Sequence, residues 1–392
     1  MTQDRALPLL RASECPLSPH PELNRLRDEG PVSRVRTYVR GEFVEVAMVA
    51  RYQEARAVLE HPLITSGLEP VDGLVQTQPG FLLTMDGPEH QRLRKLLRAE
   101  FGMSRMKAWR PMITELVERQ LDEMENAGSP LDLVEWFASP IPSTLIATIL
   151  GVPVEDHDQF NRRSEIFVDQ TIPPEVQRAN GMTMTEYMTA IVAANRVCPG
   201  DNVLGHLIDA HGDELSDAEL ANLGNLLLPA GHETSASMLA LGTLVLLRHP
   251  DQLALVRDDP KALTWAIEEL LRFLSVTNTG GMRRAVDTFE LSGETIQRGE
   301  QVIVSLPTAN RDAALLDDPD RFDVTRAPTP HLAFGHGQHM CLGQQLVRLE
   351  LSIALPALLQ RFPTLELAIP FQDLQFNDNR PTNGVATLPV QW

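Results

Sequence analysis

Cys341 is the residue of this chain best placed to do chemistry. It lies in Phe334-Gly335-His336-Gly337-Gln338-His339-Met340-Cys341-Leu342-Gly343. A cysteine that serves as a metal ligand must be held as thiolate, shielded, with backbone able to lie close to a flat cofactor. Gly335, Gly337 and Gly343 carry no Cβ, so the chain can turn tightly and approach such a surface. From Leu342 onward the sequence reads as a helix, with Leu342, Leu346, Leu349 and Ile353 on one stripe. Cys341 then stands near that helix's N-terminus, where orphan N–H groups and the helix dipole favour negative sulfur. Phe334 can cover the approach to the sulfur. A buried structural cysteine beside a glycine-rich turn would not need these companions.

A second constellation is Ala230-Gly231-His232-Glu233-Thr234-Ser235. It falls in the middle of a long apolar helix. Ser216-Asp217-Ala218-Glu219 is a capping box, with Leu215 and Leu220 spaced for the accompanying staple. The helical pattern continues to Arg248, before His249-Pro250. That is about 32 residues, or roughly 48 Å, long enough to cross the molecule with a buried middle. A charged acid and a hydroxyl are costly there unless they are partnered or used. Pro229, just before, removes a backbone hydrogen bond and is expected to bulge the helix and shape a pocket.

The cysteine segment resembles the haem-binding loop of the cytochrome P450 family, Phe-Gly-x-Gly-x-His-x-Cys-x-Gly, at every family position. The resemblance runs from about Pro19 to Trp392. It implies a mainly α fold with small β-sheets, a triangular prism holding haem between the long central helix and the cysteine-loop helix. It implies haem b as cofactor, Cys341 as iron ligand, and Phe334 and Gly343 against the ring. Ala230 and Gly231 would lie opposite. Thr234 would hydrogen-bond dioxygen and Glu233 would help deliver protons. Haem propionates would be met by His90 and Arg94, four apart in a helix that Asp86 and Pro88 begin, and by Arg283 and His339. Glu269 and Arg272 match the family's Glu-x-x-Arg, and the resemblance adds Arg321 of Pro319-Asp320-Arg321-Phe322 to that structural pair. Glu268 offers a competing register without an Arg three residues later.

Composition sets the outer bounds. The chain has 392 residues, 43% hydrophobic, with net charge −19 from 34 basic and 53 acidic side chains. Such acidity speaks for solubility and against nucleic acid as a partner. Three scattered cysteines imply no disulfide framework and fit a reducing cytoplasm. No signal peptide or membrane anchor is visible. The uncharged run Trp136–Val154 is interrupted by Pro140, Pro142, Gly151 and Pro153, so it reads as buried structure with bends. Strand-like segments are Phe43–Val49 and Phe289–Ile303, the latter turning at Ser292-Gly293 and Arg298-Gly299. One domain over residues 1–392 is the simplest architecture, with residues 1–18 irregular.

Residues 91–110 reverse the charge. They hold Arg92, Arg94, Lys95, Arg98, Arg105, Lys107 and Arg110 against Glu100 alone. A small acidic electron carrier would be steered there. The resemblance implies a ferredoxin or flavodoxin as that carrier, electrons ultimately from NAD(P)H, and a monomeric enzyme. It places substrate contacts in 68–83, 165–187, 226–230, 275–282 and 382–385. Those segments suit a medium-to-large, mostly apolar organic molecule, as in secondary-metabolite biosynthesis. The expected activity is insertion of one oxygen atom from O2. The rival readings are a peroxide-driven peroxygenase and a haem-binding sensor; the Glu233-Thr234 pair argues against both.

Overall fold

The computed structural model describes residues 11, 15–39, 42–67, 78–169, 171–377 and 380–392. The expected irregular terminus 1–18 and the substrate segment 68–83 lie partly outside the described residues. The protein is mostly helical with small sheets. Its contacts divide it into two compact units: Met1–Gly67 with Asp258–Cys341, and Leu68–Arg257 with Leu342–Trp392.

The first unit is built on a sheet of five strands in the order Ser33–Val39, Glu42–Val49, Gln301–Ser305, Thr279–Ala285 and Ile64–Thr65. Glu42–Val49 runs parallel to Gln301–Ser305, with Ala47 opposite Val302 and Val49 opposite Val304. Side chains alternate between faces. Val46, Met48 and Ile303 pack with Leu23 and Leu26. Ala47, Val49, Val302 and Val304 pack with Tyr52, Val58, Leu59 and Leu306. Both faces are covered, which is why these strands read as near-continuous apolar runs. The Phe289–Leu291 and Glu294–Ile296 hairpin turns at Ser292 and Gly293, both with positive φ. Ser33–Val39 and Thr279–Ala285 are strands that the sequence concealed, one because arginines interrupt it and one because it contains Gly280-Gly281 and Arg283-Arg284. Their partners, not their propensities, make them strands.

The second unit is organised by the helix Asp217–Leu247. Ser216 caps it: its hydroxyl accepts from the Glu219 N–H at 3.2 Å, and Glu219 accepts from the Ser216 N–H at 2.8 Å. The staple residues Leu215 and Leu220 are buried. The helix is packed by Pro140–Leu150, Pro174–Val197 and Gln344–Arg361. Gly231 permits a close approach by the first of these, since a Cβ there would come within 2.9 Å of Ile146. The helix runs unbroken from residue 226 through 234. Pro229 withholds one hydrogen bond from the Asn225 carbonyl, yet the helix continues through it. The run after Trp136 is a real helix, Pro140–Leu150. Pro140 opens it, Pro142 sits in its first turn, and Gly151 ends it in the left-handed conformation. Among the described residues no helix is long and apolar enough to cross a membrane.

Candidate haem-thiolate site

In the first unit, the cysteine segment folds back on itself. The Cys341 N–H donates to the Phe334 carbonyl at 2.8 Å, and Gly335 N–H to Leu332 at 2.8 Å. Gly335 and Gly337 take positive φ, 68° and 70°, which a Cβ would disfavour. Gly337 has a second reason to be glycine: a Cβ would lie 2.5 Å from the Leu59 carbonyl oxygen. Gly335 faces the opposite case, with no atom within 4 Å of where its Cβ would be. The thiol of Cys341 is partly buried, whereas Cys15 and Cys198 are exposed. The helix begins at Gln344 with Gly343 as its cap, two residues later than Leu342. Cys341 precedes this N-terminus by three residues. His339 lies in the one-turn helix Gly337–His339, and Arg283 lies on the strand Thr279–Ala285 beside Arg284.

The same unit contains a buried ion pair. Arg272 makes two bonds to Glu269, at 2.7 and 2.8 Å, and both side chains are 2% exposed. Arg272 also donates to the carbonyls of Asn310 at 3.0 Å and Pro319 at 2.9 Å. The third arginine differs from expectation. The Arg321 side chain is 63% exposed and turns to Asp323, so only its backbone carbonyl approaches the pair. Arg326 takes its place, 3.4 Å from Glu269 and largely buried. It also donates to the carbonyls of Asp317 and Asp318. Nothing in the spacing of Arg326 marks it. The register question is settled as well: Glu268 faces His331 at 3.2 Å, leaving Glu269 to Arg272.

In the second unit, His90 is completely buried on the helix Gly87–Glu100, one turn before Arg94. Asp86 occupies the N-cap position with extended backbone. On the long helix, Ala230 is exposed and Gly231 and Thr234 partly so, although residues on both sides are buried. The helix therefore has an open surface at its centre. The Thr234 hydroxyl donates back to the Ala230 carbonyl at 2.8 Å. Glu233 is 7% exposed and accepts a short hydrogen bond from the Thr382 hydroxyl. Burial pushes the Glu233 carboxyl above the ordinary carboxylate range, against the Thr382 bond and the charge of Arg380. His232 approaches the Ser139 hydroxyl at 3.2 Å. Its pKa is lowered to about 4 by burial and then by Arg380. Thr382 and Arg380 come from the C-terminal segment, far from the helix in sequence, and no local pattern points to either.

The residues fit haem. A single thiol suits an iron whose equatorial ligands come with a macrocycle, and its seat ahead of a helix N-terminus favours the thiolate. The space beside Gly335 and the open surface at Ala230 leave room that side chains elsewhere fill.

Comparison with known proteins agrees. The family model described as Cytochrome P450 matches residues 257–391. The chain is 40% identical over 398 residues to "Cytochrome P450-SU2" of Streptomyces griseolus, covering 98% of this chain and 96% of that one. It is 40% identical over 389 residues to "Pentalenic acid synthase" of Streptomyces avermitilis, covering 96% and 95%. The solved structure of CYP105P1 in complex with filipin I superposes with a TM-score of 0.91 at 40% identity, covering 100% of this chain and 99% of that one. A chain that carries this cysteine loop and matches such relatives over nearly its whole length belongs to the cytochrome P450 family of monooxygenases.

Proposed function

We propose that this monooxygenase inserts one atom of O2 into a medium-to-large, mostly apolar organic molecule, as a tailoring step in secondary metabolism. One relative is named for pentalenic acid synthesis and another is crystallised with filipin I, which supports that class of substrate. Electrons would come from NAD(P)H through a ferredoxin or flavodoxin. Three free cysteines suit a reducing cytoplasm.

The observation that carries this reading is Cys341, one half-shielded thiol tied by its N–H to Phe334 just before a helix. Haem, when bound, supplies oxygen activation, and thiolate donation favours O–O cleavage. The chain's own residues do the rest. Cys341 would ligate the iron, and Phe334 and Gly343 would shield and accommodate the group. Ala230 and Gly231, small and open, would leave room for substrate. His90, Arg94, Arg283 and His339 would hold the propionates by charge and hydrogen bonding. Thr234 must release the Ala230 carbonyl for its hydroxyl to serve a substrate oxygen. Glu233, whose carboxyl burial pushes above the ordinary range, is the proton reserve. In Cys341→Ala, activity and the thiolate-type spectrum of the reduced carbon monoxide complex should both disappear. Persistence of that spectrum would assign the ligand elsewhere.

A further inference from the structure

In the first unit, the chain leaves the helix Pro260–Leu274 through a heavily held turn. Ser275 takes the left-handed conformation, φ 41° and ψ 65°. A residue with a Cβ keeps such a conformation only where its surroundings enforce it. The enforcement is visible. The Ser275 N–H donates to the Leu271 carbonyl at 3.0 Å. Its hydroxyl donates to the Arg272 carbonyl at 2.9 Å and accepts from the Asn310 amide at 2.7 Å. Just beyond, the pairing of Thr279–Ala285 with Gln301–Ser305 shifts register between Thr279 and Met282, where Gly281 has φ 81°. Bulges of this kind re-aim side chains beside sites. Residues 275–282 are also the stretch that family resemblance assigns to substrate contact.

The last carbonyls of a helix have no partners within it. Here two guanidiniums supply them. Arg311 donates to the Phe273 carbonyl at 2.8 Å and lies over the Phe273 ring, 3.7 Å from its centroid. Arg11 donates to the Leu274 carbonyl and, at 3.2 Å, to the Ser275 carbonyl. Burial and then the charge of Arg311 lower the Arg11 pKa to about 9, so it remains a cation at neutral pH. That is the sign a helix C-terminus favours. The Arg11 Nε and Nη1 are buried and make no hydrogen bond, so the two carbonyls are what the guanidinium grips. The terminal region expected to be irregular thus reaches the turn. It is met there a second time, since Arg311 also donates to the Leu17 carbonyl at 3.4 Å. We propose that Arg11 is a positioning residue for substrate binding: it clamps the left-handed turn at Ser275 and so sets where residues 276–282 stand. The inference rests on the reading of that stretch as a substrate contact and names what fixes it from the far end of the chain. Arg11 acts through Ser275 and not on the substrate itself.

The test titrates holoenzyme with two iron-binding probes, imidazole and 4-phenylimidazole, followed by the haem absorbance shift. Imidazole needs only the iron, whereas the phenyl group must also fit the surrounding walls. In Arg11→Ala, 4-phenylimidazole should bind about fivefold more weakly, the scale of one lost hydrogen bond, while imidazole affinity is unchanged. Arg11→Lys keeps a cation at the helix end and should recover most of the difference. Hydrogen exchange of the holoenzyme is the second readout. Amides of 275–282 should exchange several-fold faster in Arg11→Ala, with those of Glu42–Val49 unchanged. Equal weakening of both probes, or faster exchange with 4-phenylimidazole binding intact, would mean a merely structural arginine and overturn the inference. Unchanged exchange in 275–282 would overturn it as well. Should neither probe shift the wild-type spectrum, the haem reading fails, while the exchange result still decides whether Arg11 holds the turn.

Discussion

Glu350 shows how much a single buried side chain can depend on pH. It sits in the apolar face of Gln344–Arg361, and one carboxyl oxygen has no partner. Burial pushes its pKa up to about 8, only partly offset by a hydrogen bond from Ser235. The folded enzyme therefore holds Glu350 neutral where the unfolded chain would ionise it. The associated stability is complete below the ordinary carboxylate value and is lost as pH climbs toward about 8. Glu350→Gln keeps the shape without the proton. Measured by denaturant unfolding, the variant should gain on the wild type with rising pH across that window, by at most about 1.4 kcal/mol per pH unit. A constant difference would show Glu350 to be hydrated or already paired. The sequence, Leu349-Glu350-Leu351, marks this acid as misplaced only once the helix's buried face is known.

At the scale of elements, a buried charged cluster ties the helix Pro260–Leu274 to the segment holding Asn310, Pro319 and Arg326. Arg272 is locked by two bonds to Glu269 and two backbone carbonyls, and Arg326 closes the cluster. Arg326→Ala would strip a cation from buried Glu269 and leave the Asp317 and Asp318 carbonyls without their donor. A loss of about 2 kcal/mol in unfolding free energy is expected. Arg321→Ala removes only an exposed pair with Asp323 and should change stability by no more than about 0.5 kcal/mol. The reverse ranking would return the third arginine to position 321. The Glu269–Arg272 spacing was legible because helix neighbours three apart share a face. Arg326 was not, because its approach depends on a loop whose path no periodicity encodes.

For the whole molecule, electrostatics is the telling property. The net charge is −19, yet Lys95, Arg98, Lys107 and Arg110 stand exposed on the helices Gly87–Glu100 and Met103–Ala127. Not all of the seven basic residues are available. Arg92 is taken by Glu89 and Glu219, and Arg105 by Glu100, which also meets His206. The remaining exposed charges suit an acidic electron carrier. Arg98→Glu should slow reduction by ferredoxin several-fold at low salt, and the difference should shrink as salt screens the field. The substrate-induced spin shift should be unaffected. Reduction kinetics equal to wild type at low salt would place the docking surface elsewhere.

The sequence by itself determined the glycine-rich cysteine loop, the capped central helix with its acid and hydroxyl, the Glu269–Arg272 pair and the family. Each rests on residues within a few positions of one another, where backbone geometry ties spacing to proximity. Tertiary structure alone decided that Arg326 rather than Arg321 completes the buried cluster and that the helix persists through Pro229. It also brought Thr382 and Arg380 to Glu233, about 150 residues away along the chain. Such long-range contacts are set by packing and desolvation summed over whole elements, and no local pattern encodes that sum.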